Sequence, residues 1–103
     1  MRIVFVTCPP DQGISLLRTL VEERLVAGGN RIAGVRSVYH WQGEVCDDAE
    51  EILLMETADD RVEAMMARLR ELHPYDVPKI LTFDPVEGLP DYLAWVQAET
   101  RPS

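Results

Sequence analysis

A short segment of the chain places an imidazole, a phenol and a carboxylate within four residues, as His73, Tyr75 and Asp76. Pro74 cannot continue a helix and disfavours helical geometry at the residue before it, so a helix must stop here. Pro78 restricts the backbone on the other side, and rigid polar connectors of this kind often carry binding sites. Imidazole beside carboxylate is a ligand combination that borderline metal ions accept, so His73 is a candidate metal ligand. Alternatively, His73 only contacts the last carbonyls of its helix and Tyr75 fills a crevice.

Other side chains give weaker chemical signals. Cys8 follows the first apolar stretch, where a thiol could reach a cleft as a metal ligand, although a lone cysteine is also typical of a small buried group. The acidic stretch 47–51 lacks the spacing and central glycine of an EF-hand and is typical of a solvated hairpin end. The chain contains no G-x-S-x-G, HExxH, P-loop or G-x-G-x-x-G motif. We therefore predict a protein that is not an enzyme.

Size and charge restrict the class of protein. The 103 residues suffice for one domain, 1–103, and 18 acidic against 10 basic side chains give a net charge of −8. This charge repels phosphate backbones and anionic lipid heads, so nucleic acid and membranes are not expected partners. The N-terminus shows no secretory or membrane-spanning pattern, and the two cysteines form no CxxC pair. We expect a cytoplasmic protein with reduced thiols.

The hydrophobic pattern predicts the element order strand, helix, strand, strand, helix, strand, with an added C-terminal helix. Strands are expected at 2–7, 32–41, 51–57 and 79–83. A first helix is expected to be capped by Asp11 and to end through Gly28 and Gly29. A second helix is expected to run from a cap at Asp59 to Leu72, and a final helix to span 91–99. A turn at 42–44 joins a hairpin that is bulged or offset near the acidic residues 47–50. This order predicts an α+β, ferredoxin-like βαββαβ sandwich whose two crossover helices cover one face of an antiparallel sheet.

The opposite face of that sheet should then be polar, but the strands are apolar on both sides. Ile3 and Phe5 alternate with Val4 and Val6, and the same alternation recurs at 52–55. Large exposed apolar patches are rare on soluble monomers, and one short terminal helix can shield only part of the sheet. We therefore predict a homo-oligomer in which sister copies cover the second face.

Four spaced motifs closely resemble the divalent-cation tolerance (CutA) family, and the match spans nearly the whole chain. They are Gly34-Val35-Arg36-Ser37-Val38-Tyr39, Trp41-Gln42-Gly43-Glu44, His73-Pro74-Tyr75 with Val77-Pro78, and Asp91-Tyr92-Leu93-Ala94-Trp95. The resemblance implies a ferredoxin-like subunit, similar to PII signalling proteins, in a tight homotrimer. It also implies a role in tolerance of copper and other divalent metals, without an agreed biochemical activity.

The chain departs from the family pattern at three positions. Gly28 stands where the family commonly has a cysteine, so a thiol ligand is missing there. Glu56-Thr57 replaces the usual Lys-Thr in a region that the resemblance places near the intersubunit cleft, which disfavours anions and favours cations. Ala33 replaces a proline, with an expected effect on strand stiffness.

Two functions remain as hypotheses. The first is a CutA-like trimer that responds to divalent metal by binding, through His73 and Cys8, with no cofactor required other than a divalent ion such as Cu(II). The alternative is a PII-like sensor that binds a small molecule in an intersubunit pocket lined by Trp41, Glu56, Tyr75, Asp76, Tyr92 and Trp95. Core or interface packing is the other explanation for these aromatic residues. An RNA-binding domain of the same strand order is excluded by charge and by the absent K/R-G-F/Y-G/A-F-V run.

Overall fold

The computed structural model describes residues 1–102, which form a four-stranded antiparallel sheet and three α-helices. The elements are β1 Arg2–Cys8, α1 Gly13–Glu22, β2 Gly28–Trp41, β3 Glu44–Thr57, α2 Val62–Leu72, β4 Ile80–Phe83 and α3 Pro90–Glu99, with a 3-10 turn Asp59–Arg61 before α2. The strands lie in the order β2-β3-β1-β4, and every neighbouring pair is antiparallel. The predicted α+β, ferredoxin-like fold with an added C-terminal helix is confirmed.

One face of the sheet packs against α1 and α2 and forms the core. Alternate residues of β1 and β3 point into it, because successive side chains of a strand lie on opposite faces. The fully buried members are Val4, Val6, Cys8, Leu53 and Met55 from the strands, Leu20 from α1, and Met65 and Leu69 from α2. We call this side the helix-covered face.

The β2–β3 hairpin is longer than the sequence pattern predicted. Each arm has 14 residues, and the two-residue turn has positive φ at Gln42 (49°) and Gly43 (84°), as a tight hairpin turn requires. The prediction that the acidic residues 47–50 interrupt the third strand is wrong, whereas the predicted bulge near them is present and lies in β2. These residues pair continuously with Val35–Val38. Asp47 and Asp48 are exposed to solvent, and the buried Glu50 carboxylate accepts a hydrogen bond from Tyr75.

The irregularity of this hairpin lies on the other arm. Ile32 pairs with Ile52 and Val35 with Glu50, so β2 carries one extra residue there. Gly34 occupies the bulge with φ +75° and has open space around the position of a Cβ. A glycine fits because a β-bulge of this kind needs a left-handed residue, which other side chains disfavour.

The predicted caps of α1 are wrong at both ends. Asp11 has φ 67° and lies before the N-cap residue Gln12, so it does not cap the helix. The helix ends at Glu22 through left-handed Arg24, and the Leu25 amide donates to the Leu20 carbonyl at 2.9 Å, which is a Schellman motif. The expected exit glycines, Gly28 and Gly29, already belong to β2.

The start of α2 also differs from the prediction, whereas its end is as expected. Asp59 begins the 3-10 turn and is not a cap; its carboxylate instead lies 3.1 Å from the amino group of Met1. The helix ends at Leu72, and His73 adopts extended geometry before Pro74.

The opposite side of the sheet, here called the helix-free face, is only partly covered by α3. Val96 of α3 is fully buried, but Leu81 and Phe83 of β4 remain 47% and 50% exposed. The predicted apolar character of both faces is therefore confirmed. Among residues 1–102, no helix combines the length and apolar character needed to span a membrane.

Candidate functional site

A cleft of about 750 Å³ opens on the helix-free face between the hairpin and the segment 73–79. We call it the connector cleft. Its walls combine aromatic, acidic and basic side chains, which include Tyr39, Trp41, Glu50, Tyr75, Asp76 and Lys79. A concave site with a few convergent polar groups is the usual form of a small-molecule site in proteins.

His73 lies behind this cleft and holds the connector to β1. Its ring is 5% exposed, and its Nε2 atom lies 2.8 Å from the Thr7 carbonyl oxygen. The Tyr75 amide donates to Nδ1 at 3.2 Å, which requires Nδ1 to be the acceptor. Nε2 therefore carries the proton and donates to Thr7, so both ring nitrogens are occupied. Within the chain, His73 has no free lone pair for a metal ion, and its metal ligation remains a prediction.

Tyr75 connects the segment 73–79 to the floor of the cleft. Its hydroxyl donates to the Oε2 atom of Glu50 at 2.8 Å, and Glu50 is only 6% exposed. Burial, together with the nearby carboxylate, raises the pKa of the Tyr75 phenol well above its ordinary value. The phenol thus stays protonated and acts as a hydrogen-bond donor to a buried carboxylate.

A second phenol and carboxylate lie on the outer wall of the cleft. Tyr39 donates to Asp48 at 2.6 Å, and this hydrogen bond raises the pKa of Tyr39 to about 12. Both groups are exposed. The carboxylate of Glu50 inside the cleft is therefore shielded from water, whereas the carboxylate of Asp48 beside Tyr39 is in contact with it.

Glu51 shows that the acidic stretch is not simply a solvated hairpin end, as the sequence had indicated. Its carboxylate is 2% exposed on the helix-covered face and accepts from the Gly13 amide at 3.1 Å. Arg31 donates to it from Nε at 3.0 Å and from its terminal nitrogen at 2.7 Å, and this pairing holds the pKa of Glu51 below its usual range. Glu51 thereby supplies the cap that Asp11 does not.

Sequence reasoning missed the roles of Glu50, Glu51 and Arg31. A signal was present, because the two carboxylates directly precede the alternating apolar residues 52–55 and so belong to the same strand. That pattern does not show that Glu50 accepts from Tyr75 or that Glu51 pairs with Arg31.

Cys8 lies in the core and does not reach the cleft. It is fully buried, and burial followed by the charges of Glu51 and Glu50 raises the pKa of its thiol to about 11. This placement agrees with the alternative of a small buried group, and metal ligation by Cys8 stays a prediction. In the described part of the chain, no three His, Cys, Asp or Glu side chains are grouped so that they could hold a metal ion.

The six residues predicted to form one pocket fall into two groups in the single chain. Trp41, Tyr75 and Asp76 line the connector cleft. A second group, which we call the α3 group, consists of Glu56, Tyr92 and Trp95 near the other end of β3. Its two rings lie 5.5 Å apart between centroids, and the Tyr92 hydroxyl is close enough to Glu56 to affect its pKa. A pocket that unites both groups between subunits remains a prediction.

Comparison with known proteins gives the context of these sites. The family model described as CutA1 divalent ion tolerance protein matches residues 2–99. The divalent-cation tolerance protein CutA of Thermus thermophilus is 38% identical over 99 residues, which are 95% of this chain and 96% of that protein. The chloroplastic protein CutA of Arabidopsis thaliana is 35% identical over 96% of this chain, and the chain spans 55% of that longer protein.

Solved structures agree with the sequence relatives. The apo form of the PII-like protein CutA from Nostoc sp. superposes with a TM-score of 0.94 at 36% identity, over 100% of both chains. The family match extends from β1 to the end of α3 and so includes the cleft and the α3 group. The chain belongs to the CutA1 divalent ion tolerance protein family.

Proposed function

We propose that this protein acts in divalent-metal tolerance by binding rather than by catalysis, as a cytoplasmic homotrimer, with Cu(II) as the first metal to test. The observation that carries this proposal is the family match over residues 2–99. The sequence also lacks the catalytic motifs named above. The hydrogen bonds described at the connector cleft join phenols to carboxylates, whereas nucleophilic catalysis needs a nucleophile beside a base.

The helix-free face supports self-assembly. Leu81 and Phe83 are about half exposed on β4, and Ile32 is exposed on β2. Each large apolar side chain removed from water contributes about 1.5 to 3 kcal/mol, so contact between copies would stabilise the assembly. Sedimentation at micromolar concentration is expected to give trimers, and folded single chains would contradict the proposal.

Metal binding through His73 requires the ring to exchange one of its two hydrogen bonds for the ion. Calorimetric titration with Cu(II) and Zn(II) tests this directly. We expect His73→Gln to lose the binding seen in the unchanged protein, whereas His40→Gln, at an exposed position on β2, keeps it. Circular dichroism checks that each variant is folded. Unchanged affinity and stoichiometry in folded His73→Gln would remove His73 as a ligand.

A second candidate function is a PII-like sensor that binds a small molecule, and the connector cleft favours it. The cleft has a volume of about 750 Å³, and Trp41 and the largely buried Glu50 are among the residues that line it. A structural neighbour carries the description PII-like. A carboxylate shielded from water and already hydrogen-bonded by Tyr75 suits recognition of a polar group in an otherwise apolar ligand.

A thermal-shift screen separates this sensor from the metal hypothesis. A ligand that binds only the folded protein raises its melting temperature as its concentration rises. We expect one member of a metabolite panel to do so, and Trp41→Ala to abolish the shift while leaving Cu(II) binding intact. No shift with any member, alongside Cu(II) binding, would favour the first function.

A further inference from the structure

Glu56 has a carboxylate without a counterion on an apolar surface. It lies half-buried on the helix-free face, where it pairs with Ile3 of β1 and Gly28 of β2. Its Oε2 atom is shielded from solvent and accepts no hydrogen bond from any residue of the described chain. No Lys, Arg or His of residues 1–102 forms an ion pair with it, whereas ten other pairs occur in the chain.

Two aromatic rings stand beside this carboxylate. Tyr92 and Trp95 of α3 lie with centroids 5.5 Å apart and planes tilted by 33°, and both rings are partly exposed. Gly28 leaves space on the neighbouring strand, since a Cβ there would lie 3.6 Å from the Trp95 ring. The indole therefore lies beside the glycine that pairs with Glu56 on the neighbouring strand.

The environment of Glu56 favours a positive charge. Burial raises the pKa of the Glu56 carboxyl, and the hydrogen bond from the Tyr92 hydroxyl lowers it in part. Neither effect comes from a positively charged group. A half-buried carboxylate is stabilised when a cation joins it. Aromatic faces attract ammonium and guanidinium groups as well, most strongly when these are desolvated.

We propose that Glu56, Tyr92 and Trp95 form a binding site for an organic monocation, such as an alkylammonium or guanidinium group. A divalent metal ion fits poorly, because one carboxylate and one phenol supply too few ligands and the indole supplies none. An anion is disfavoured by the charge of Glu56. This site lies apart from the connector cleft within one chain and does not depend on metal binding at His73.

The test uses the fluorescence of Trp95 in the full-length protein. The chain has two tryptophans, so Trp41→Phe leaves Trp95 as the reporter. Butylammonium chloride is titrated against this variant, with sodium chloride at equal ionic strength as the blank. We expect a saturable change in Trp95 emission that sodium chloride does not produce.

Matched variants identify the carboxylate as the cause. Glu56→Gln keeps the shape and removes the charge, and we expect it to weaken butylammonium binding about ten-fold or more. Glu63→Gln removes one exposed carboxylate from α2 and should leave the affinity unchanged. Circular dichroism and sedimentation establish that the variants keep the fold and the assembly state of the Trp41→Phe background.

The outcomes are distinct. Saturable binding that is lost in Glu56→Gln supports the site, whether or not Cu(II) or metabolites bind elsewhere. Equal affinity in Glu56→Gln, or no saturable change in folded protein, overturns it. If butylammonium fails to bind while Glu56→Gln alters the concentration at which the copies dissociate, the cation is a basic side chain of a second copy, and the proposal of a free organic cation is wrong.

Discussion

The two faces of the sheet carry similar apolar side chains but have different surroundings. On the helix-covered face, Val6 and Leu53 are fully buried by α1 and α2. On the helix-free face, Leu81 and Phe83 remain about half exposed, and the connector cleft opens there. Alternate residues of one strand therefore form the core on one side and remain partly exposed on the other, because side chains alternate across a strand.

Two adjacent carboxylates show the same division. Glu51 points to the helix-covered face, where it pairs with Arg31 and caps α1 through Gly13. Glu50 points to the helix-free face, where Tyr75 donates to it at the floor of the cleft. Both are buried and satisfied, but only Glu50 can meet a ligand. Paired substitutions on neighbouring residues can therefore test how far the two faces differ.

The largest difference is expected between Leu53 and Leu54. Leu53→Ala removes a fully buried side chain from the core and should lower the free energy of unfolding by about 3 kcal/mol. Leu54→Ala, on the helix-free face, should cost about 1 kcal/mol, because its side chain is only partly buried. Urea denaturation at one fixed protein concentration measures both. Equal losses would show that the helix-free face is packed as tightly as the core.

Two neighbouring glycines allow a similar comparison by added volume. At Gly29 a Cβ would lie 2.7 Å from the Leu54 carbonyl oxygen and 2.7 Å from Met55, so Gly29→Ala should cost about 2 kcal/mol. At Gly28 the nearest atom is 3.6 Å away, on Trp95, which is ordinary contact. Gly28→Ala should therefore change stability by less than about 0.5 kcal/mol. Thermal unfolding of both variants tests the order, and the reverse order would contradict the packing described for β2.

The ion pair on the helix-covered face should appear as a pH-dependent stability. Glu51→Gln removes the charge that Arg31 and the Gly13 amide recognise, and we expect a loss of about 1.5 kcal/mol at pH 7. The Arg31 guanidinium lowers the folded-state pKa of Glu51 below its value of 4.5 in an unfolded chain. The contribution of Glu51 is therefore complete above that value and disappears as the pH falls through the folded pKa.

Urea denaturation of both proteins between pH 7 and pH 2 checks the sign of this effect. The stability difference between the unchanged protein and Glu51→Gln should shrink as the solution becomes acidic. Glu50→Gln provides the control on the other face, since a glutamine oxygen can still accept from Tyr75. A difference that grows at low pH would refute the assigned role of Glu51.

The smallest expected effect is at the cleft. Tyr75→Phe removes the donor to the buried Glu50 carboxylate and should cost about 1 kcal/mol. Tyr39→Phe breaks a shorter hydrogen bond, 2.6 Å, but to an exposed carboxylate that water can solvate, so its cost should be near zero. Chemical denaturation of the two variants ranks them. A larger loss in Tyr39→Phe would show that the outer pair, which joins the two arms of the hairpin, contributes more to stability than the pair between the connector and β3.

Local signals predicted much of the fold because they act between neighbouring residues. The His73-Pro74 stop of α2, the turn at Gln42 and Gly43, and the alternation of β1 all follow from restricted backbone angles or from side-chain period. The caps predicted at Asp11 and Asp59 were wrong. A short acidic residue before a helix is only one of several groups that can reach the free amides, and here Glu51 reaches that of Gly13.

The candidate sites were predicted less completely. Trp41, Tyr75 and Asp76 do line a common cleft, whereas Glu56, Tyr92 and Trp95 lie together elsewhere on the same face. Sequence order could identify the residue types, but the separation of the two groups depends on where the hairpin and α3 pack against the sheet.

The sequence by itself determined the order of the elements, the apolar character of both sheet faces and the rigid connector after α2. These features need only the spacing of apolar residues and the geometry of proline. Only the tertiary structure decided which carboxylate meets which partner. The Glu51 side chain meets an amide 38 residues away and an arginine 20 residues away. Such pairs form because packing places distant strands and helices side by side, and no local pattern contains that information.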